Sequence, residues 1–173
     1  MMELKEEIIE TKEVFKGDYI TVEKTKVKLP DGNIANRDVI KHPGAVAVVA
    51  FKDDETILLV EQYRTAVNKI TLEIPAGKIE KGEDHLVAIK RELEEEAGYK
   101  SDNIEFLGAI SPGPGYTDEI IYIYKATDLY KGVKGGDDDE FINVKSYKLS
   151  EIKNMIKEGI IFDAKTIASL MYI

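Results

Sequence analysis

Apolar and polar residues alternate along the first forty residues of the chain. Residues 3–42 are rich in β-branched and aromatic side chains, and the alternation is clearest in "YITVEKTKVKL". Turn-forming residues interrupt this region at 16–18 ("KGD") and at 30–33 ("PDGN"). The pattern predicts an N-terminal region of antiparallel β-strands.

Longer apolar runs follow this region. "AVAVVAF" at 45–51 and "TILLVEQYR" at 56–64 are predicted to be core strands, joined by a hairpin loop at 52–55. Two more predicted strands lie at 104–110 and 120–126. The middle of the chain therefore supplies most of the predicted sheet.

Apolar residues at helical spacing predict a helix over residues 83–97, and Gly98 follows where a left-handed C-terminal cap would lie. The spaced apolar positions are Leu86, Ile89, Leu93 and Ala97.

The C-terminal third contains a predicted strand at 141–149 and two short helices, which begin at the capping residues Ser150 and Asp163. Strands come first and are then mixed with helices, an order that predicts an α+β fold.

Composition restricts the class of protein. A chain of 173 residues with 43% hydrophobic and 33% charged residues is expected to be a soluble globular protein with its own core. No apolar run approaches the roughly 20 residues of a membrane span, so we expect no membrane association. The chain has no cysteine and its first residues do not resemble a signal peptide, which favours a cytoplasmic location.

The net charge of −9 disfavours nucleic acid as a partner, because such binding depends on basic residues. A phosphorylated small molecule can still bind if a divalent cation bridges it to the acidic protein.

The segment "RELEEEAG" at 91–98 concentrates carboxylates on the predicted helix. Glu92 and Glu96 lie one turn apart on the same edge, with Glu95 beside them. Such a run is either a solvated acidic face or a site for a hard cation such as Mg²⁺, which prefers oxygen ligands.

The surrounding residues distinguish the two interpretations. Their order is a glycine, five residues, a glutamate, seven residues, and then a short charged run, at Gly77, Glu83, Arg91, Glu92, Leu93, Glu95, Glu96 and Gly98. This order resembles the Nudix box at every specified position except the last, where Tyr99 replaces the usual aliphatic residue.

The resemblance extends beyond the box. Other segments of the chain are similar to the ADP-ribose pyrophosphatase branch of the family. Pro114 or Pro112, downstream of the box, is a feature of that branch. The matching segments are "EQYR" (61–64), "LEIPAGKIE" (72–80), "SPGPGYTDE" (111–119), "DDDEFINV" (137–144) and "DAKTIASL" (163–170).

The resemblance implies a Nudix fold, with a mixed β-sheet sandwiched between helices and an N-terminal antiparallel β subdomain. It divides the chain into an N-terminal region at 1–42, for dimerisation and the substrate pocket, and a hydrolase domain at 43–173. The implied reaction is hydrolysis of the diphosphate bond of ADP-ribose to AMP and ribose 5-phosphate, with Mg²⁺ or alternatively Mn²⁺, in a homodimer.

Several residue roles are implied by position. The metal ligands would be the Ala76 carbonyl, Glu92, Glu96 and Glu140, and Glu95 would either bind the metal or support a ligand. Glu83 and Arg91 would pair near the helix start and orient the glutamates. Gly77 is interpreted as serving the turn before the helix and Gly98 as serving its end.

The resemblance implies that the catalytic base lies in the acidic turn "DDDE" at 137–140. Asp138 aligns with the base of the family, which is commonly a longer Glu, so Asp138 and Glu140 both stay candidates. The expected substrate-binding residues are Arg37, Arg64, Glu73 and Glu119, although either arginine can instead form a surface ion pair. His42 and His85 are interpreted as loop and helix-surface residues.

Two alternatives stay open. The box specifies cleavage and not the attached group, so the substrate can be GDP-mannose, another nucleotide sugar or a dinucleotide. A non-catalytic Nudix-like module that senses a nucleotide is the other alternative, although it would not need the intact carboxylates.

Overall fold

The computed structural model describes residues 3–133, 135 and 141–173. These residues form twelve strands and three helices, which confirms the predicted α+β class. None of the three helices is both long and apolar enough to cross a lipid bilayer.

The chain folds as two compact units. The N-terminal unit combines Met1–Gly44 with Gly113–Glu119, and the second unit combines Ala45–Pro112 with Ile120–Ile173. The N-terminal unit contains one antiparallel sheet in the order β1-β2-β3, and the two predicted turns join its strands. Its strands are β1 (Glu7–Lys16), β2 (Thr21–Lys28) and β3 (Ile34–Lys41).

The loop at 113–119 joins this sheet through backbone hydrogen bonds. The N–H of Ile40 donates to the carbonyl of Tyr116 at 2.7 Å, and the N–H of Asp118 donates to the carbonyl of Ile40 at 3.2 Å. The side chain of Asp118 pairs with Lys41 and accepts the N–H of His42. The loop therefore follows strand β3 as an ordered segment.

The second unit contains a four-stranded mixed sheet in the order β7-β4-β10-β9, an antiparallel sheet β12-β5-β6 and a short ladder β11-β8. Its strands are β4 (Ala45–Ala50), β5 (Thr56–Arg64), β6 (Lys69–Glu73), β7 (Ala76–Lys78), β8 (Tyr99–Lys100), β9 (Asn103–Ile110), β10 (Ile121–Thr127), β11 (Tyr130–Lys131) and β12 (Asn143–Lys148). Its helices are α1 (His85–Ala97), α2 (Leu149–Lys157) and α3 (Ala164–Ser169).

Strand β4 is buried on both faces and separates two apolar clusters. Val46 and Val48 pack on one face with helix α1, whereas Ala47 and Val49 pack on the other with strand β5 and helix α2. A strand covered on both sides has an almost continuous apolar sequence, as the run at 45–51 shows.

The prediction that β4 and β5 form a hairpin is wrong. Only the turn between the two strands forms as expected. Phe51 and Ile57 form a single antiparallel bridge, and the N–H of Lys52 donates to the carbonyl of Thr56 at 2.8 Å. The strands then enter different sheets, because β10 and β7 occupy both edges of β4. An apolar run indicates burial but does not specify a partner strand.

Helix α1 begins and ends at well-defined caps. The carboxylate of Asp84 accepts the N–H of Leu86 at 2.9 Å, and Gly98 adopts a left-handed φ of 70°, which confirms the predicted C-terminal cap. Leu86 was expected on the apolar stripe, but it lies in the first turn of the helix and is 42% exposed. The buried stripe consists of Ala88, Ile89, Glu92, Leu93, Glu96 and Ala97.

The two C-terminal helices differ in how well their starts were predicted. Asp163 caps α3 as expected, because its carboxylate accepts the N–H of Thr166 at 2.9 Å. The prediction of Ser150 as a cap is wrong. Helix α2 already begins at Leu149, and the carboxylate of Glu151 accepts the N–H of Lys148 at 2.8 Å.

Candidate active site

Two carboxylates of helix α1 are buried next to strand β7. Glu92 and Glu96 are only 8% and 4% exposed, although a charged side chain is rarely buried without a partner. One oxygen of Glu96 accepts the N–H of Ala76 at 2.8 Å. The helix and the strand together hold the carboxylates in place.

Gly77 lies directly beneath Glu92. A Cβ atom at this position would be 2.0 Å from the carboxyl carbon of Glu92, so any other residue here would force that carboxylate to move. Gly77 was expected to serve a turn, but it lies inside strand β7, and its φ is not in the left-handed region. The glycine is needed for close approach of the carboxylate, not for backbone conformation.

Arg91 lies among three carboxylates and offsets the repulsion between them. It donates from Nε and Nη2 to the two oxygens of Glu83, both at 3.0 Å, so the predicted pair does form. Its Nη1 donates to Glu92 at 2.7 Å and to Glu95 at 2.9 Å. Hydrogen bonding to Glu83 and the charge of Glu92 raise the pKa of Arg91 above its ordinary value.

The chemistry of these donors fits a hard divalent cation. Glu92, Glu95, Glu96 and the Ala76 carbonyl offer oxygen atoms alone, and two of the carboxylates are shielded from water. Within residues 3–133, 135 and 141–173, no group of three or more acidic or histidine side chains is arranged to hold a metal ion by itself. Mg²⁺ commonly binds through one or two carboxylates together with water and substrate phosphates.

A second charged cluster, which we call the Glu73 network, lies where strands β5 and β6 meet helix α3. Arg64 donates from Nε and Nη2 to the two oxygens of Glu73, each at 2.9 Å. Lys165 and the hydroxyl of Thr71 also donate to Glu73. Burial alone would raise the pKa of Glu73, but bonds from Arg64 and the charge of Lys165 outweigh it and lower the pKa to about 2.

Sequence reasoning expected Glu73 to line the substrate pocket. In the structure it is 3% exposed, and its two oxygens accept hydrogen bonds from the buried side chains of Thr71 and Lys165. Arg64 is the exposed member of the network, with 43% of its side chain accessible.

The other expected substrate-binding residues, Arg37 and Glu119, belong to the N-terminal unit. Arg37 on strand β3 forms an ion pair with Glu6. The carboxylate of Glu119 lies 3.8 Å from Nδ1 of His42, and that nitrogen accepts the N–H of Gly44 at 3.1 Å. His85, at the start of α1, stacks on Tyr122 with ring centroids 3.8 Å apart.

Asp138 and Glu140, the candidates for the base and for a further metal ligand, lie outside the described residues.

Two polar residues, Lys165 and Gln62, were not predicted from the sequence. Lys165 is buried in helix α3, and a lysine inside the largely apolar run "AKTIASL" was the available signal. The side-chain nitrogen of Gln62 is buried without a hydrogen-bond partner among the described residues. Gln62 lies opposite Thr71 in the ladder of β5 and β6, and no sequence pattern indicated this position.

The family model of the NUDIX domain matches residues 41–170 of the chain. The chain belongs to the Nudix family. Its mixed sheet, with α1 packed on one face, is the Nudix fold. Nudix hydrolases generally use divalent metal ions, in agreement with the oxygen donors of α1.

Two relatives and one solved structure are similar to this Nudix hydrolase over nearly its whole length. It is 42% identical to a methanol dehydrogenase activator of Bacillus methanolicus, over 97% of this chain and 92% of the relative. It is 36% identical to an ADP-ribose pyrophosphatase of Bacillus subtilis, over 100% and 95%. The fold matches a crystal structure of an ADP compounds hydrolase with a TM-score of 0.85 and 24% identity, over 97% and 91% of the two chains.

Proposed function

We propose that this Nudix hydrolase cleaves the diphosphate bond of ADP-ribose and releases AMP and ribose 5-phosphate. The observation that carries the proposal is the pair of buried carboxylates, Glu92 and Glu96, packed against Ala76 and Gly77. The ADP-ribose pyrophosphatase of Bacillus subtilis, similar over the full length of this chain, supports the choice of substrate.

The metal in this proposal is Mg²⁺, with Mn²⁺ as the alternative. Glu92, Glu96 and the Ala76 carbonyl would hold it, joined by Glu140, while Glu95 binds it or supports a ligand. The bound cation would neutralise charge on the diphosphate and make a bound water more acidic. Arg91 keeps the carboxylates in place through its bonds to Glu92 and Glu95.

This chain's own side chains would complete the reaction. Asp138 or Glu140 accepts a proton from the attacking water, since a base must lie within hydrogen-bond reach of that water. Arg64 binds the diphosphate, because a guanidinium matches phosphate oxygens in charge and geometry. Arg37 and Glu119 would contribute to recognition of the rest of the substrate.

We also propose that the protein is a homodimer built through residues 1–45. All ten residues of strand β1 are exposed, and Ile8, Val14 and Phe15 each keep more than half of their surface accessible. Within the described residues, β1 pairs with β2 alone, so one edge of the strand is open. An open edge with exposed apolar side chains favours association with a second copy.

A substrate panel tests the activity. ADP-ribose, GDP-mannose and the dinucleotide NADH are incubated separately with Mg²⁺, and the products are identified by chromatography and mass spectrometry. We expect the highest kcat/KM for ADP-ribose, with AMP and ribose 5-phosphate in equal amounts. The variant Glu96→Gln serves as the control for contaminating hydrolases.

Two results would contradict the proposal in different ways. Equal or faster turnover of GDP-mannose would refute the substrate assignment and leave the Nudix chemistry. An absence of hydrolysis of every compound, with Mg²⁺ or Mn²⁺ present, would favour a nucleotide-sensing module.

A further inference from the structure

Lys165 is a buried cation that the proposed chemistry does not use. Its residue is 9% exposed, its ammonium group donates to Glu73, and it lies 3.2 Å from the carboxylate of Asp163. Burial of a lysine is unfavourable unless its charge is paired, and here two carboxylates pair with it. The paired charge of Lys165 is therefore available to fix the position of these carboxylates.

Lys165 is linked through Glu73 to Arg64, whose side chain is partly exposed. Glu73 accepts from Lys165 on the same oxygen that accepts Nη2 of Arg64, and its other oxygen accepts Nε of Arg64. A two-bond contact fixes the plane of a guanidinium, which a single bond does not. The orientation of Arg64 thus depends on a carboxylate that Lys165 holds in place.

Arg64 is connected to a buried carboxylate of helix α1 through a short stretch of chain: Glu73 accepts from Arg64, and the N–H of Ala76, three residues further on, donates to Glu96. Hydrogen bonding to Glu73 is the main reason why the pKa of Arg64 is raised, and the negative charges of Glu96 and Asp163 add to this effect. Arg64 and Glu96 therefore attract each other electrostatically. Among the described residues, the hydrogen bonds of Arg64 to Glu73 engage Nε and Nη2 and not Nη1.

Helix α3 is anchored next to the same site by a second contact. The hydroxyl of Thr166 accepts the N–H of Ile74 at 2.9 Å and donates to Asp163 at 2.6 Å. Ile74 lies two residues before Ala76, whose N–H binds Glu96. The position of Lys165 relative to Glu73 is therefore maintained by a buried connection.

We propose that Lys165 is a positioning residue for substrate binding: through Glu73 it holds the guanidinium of Arg64 in the orientation that binds the diphosphate. This inference rests on the proposed hydrolase function. It also reassigns Glu73 from direct substrate contact to support of Arg64, since internal donors occupy both of its oxygens.

The test begins with Lys165→Met, which keeps much of the apolar stem and removes the charge. With saturating Mg²⁺, we expect KM for ADP-ribose to rise about tenfold and kcat to change by less than about threefold, because substrate binding is impaired more than chemistry. The Mg²⁺ concentration for half-maximal activity should stay unchanged. Lys165→Arg should recover most of the loss, and the control Lys153→Met, on the exposed face of α2, should behave as wild type.

A double-mutant cycle separates positioning from a general structural effect. If Lys165 acts through Arg64, adding Lys165→Met to Arg64→Met should raise KM by less than about twofold more, because coupled residues are not additive. Equal effects in both backgrounds would refute the inference. So would wild-type kinetics for a folded Lys165→Met protein.

Circular dichroism verifies folding before kinetics are interpreted. If Lys165→Met does not fold, the pair Glu73→Gln with Lys165→Met removes both buried charges and is tested in the same cycle, with the same two outcomes. A wild-type protein that cleaves GDP-mannose or NADH but not ADP-ribose refutes only the proposed substrate, and the cycle is then run with the compound that is cleaved. Wild-type protein inactive on all three compounds refutes both proposals.

Discussion

At the scale of single residues, the acidic helix is stable because each carboxylate that faces the core has a defined donor. Glu96 accepts a backbone N–H from Ala76, and Arg91 donates to Glu92 and to Glu95. Like charges at helical spacing repel by a few tenths of a kcal/mol per pair, and a shared guanidinium offsets this. These contacts suggest which substitutions separate metal binding from proton transfer.

Glu96→Gln removes one charge from the proposed metal ligands and keeps the size of the side chain. We expect kcat to fall at least about tenfold and the Mg²⁺ requirement to rise, with part of the loss recovered at higher Mg²⁺. Titration of activity against Mg²⁺ measures both. Glu94→Gln is the matched control, because Glu94 lies on the same helix but binds Lys100. An equal loss in this control would contradict a specific role for Glu96.

Asp138→Asn tests the catalytic base. We expect turnover to fall by about 10²- to 10⁴-fold, the usual contribution of a general base, while the Mg²⁺ requirement stays nearly unchanged. Single-turnover kinetics with a Mg²⁺ titration measure the two effects. If Asp138→Asn is nearly silent and Glu140→Gln loses turnover alone, Glu140 is the base.

The stability of the protein should depend on the ionisation of Glu73. Its pKa in the folded state is about 2, below the ordinary value of 4.5, so its contribution is complete above pH 4.5 and is lost as the pH falls towards 2. We expect this group to account for up to about 3 kcal/mol of the free energy of unfolding lost over that range. Urea titrations of wild type and Glu73→Gln measure it. Equal slopes against pH in the two proteins would contradict the prediction.

At the scale of secondary-structure elements, the site depends on the close approach of helix α1 to strand β7. The contact requires a glycine at position 77, because the carboxylate of Glu92 occupies the space that a Cβ atom would fill. Helix α1 is held in this position by Ile89 and Leu93, which are fully buried. The element contact can therefore be changed without altering any charged residue.

Gly77→Ala should displace Glu92 and reduce kcat/KM by about 10²-fold, since a misplacement of about 1 Å can cost that much. Gly159→Ala provides the contrast. An added Cβ there meets nothing within 4 Å, but its φ is 72°, so the change should cost about 1 kcal/mol of stability and leave activity intact. Initial rates and thermal melts distinguish the two. Unchanged kinetics in Gly77→Ala would show that the helix adapts.

At the scale of the whole molecule, the proposed homodimer is predicted to form through the N-terminal region. The double variant Ile8→Lys with Phe15→Lys places charge on strand β1, so we expect a monomer and a raised KM for ADP-ribose. Light scattering and initial rates measure the two effects. Ile160→Lys, an exposed apolar position in the second unit, is the control and should stay dimeric. A wild-type protein that is monomeric and fully active would contradict the prediction.

The sequence by itself located the N-terminal strands, the core strands β4 and β5 and helix α1, and it indicated the Nudix family. Turn residues and alternation located strands β1–β3, and apolar spacing with Gly98 located the helix, because these signals are local along the chain. The spacing of Gly77, Glu83 and Arg91 to Glu96 indicated the family, since all these residues lie within one continuous segment.

Only the tertiary structure decided which distant segments meet. It placed β4 and β5 in different sheets, which the sequence did not indicate because apolar residues specify burial and not a partner strand. It showed that Gly77 accommodates Glu92, and that Lys165 reaches Glu73 from a helix 92 residues further along the chain. Contacts between segments so far apart depend on the packing of the whole core, and the local order of residues does not record them.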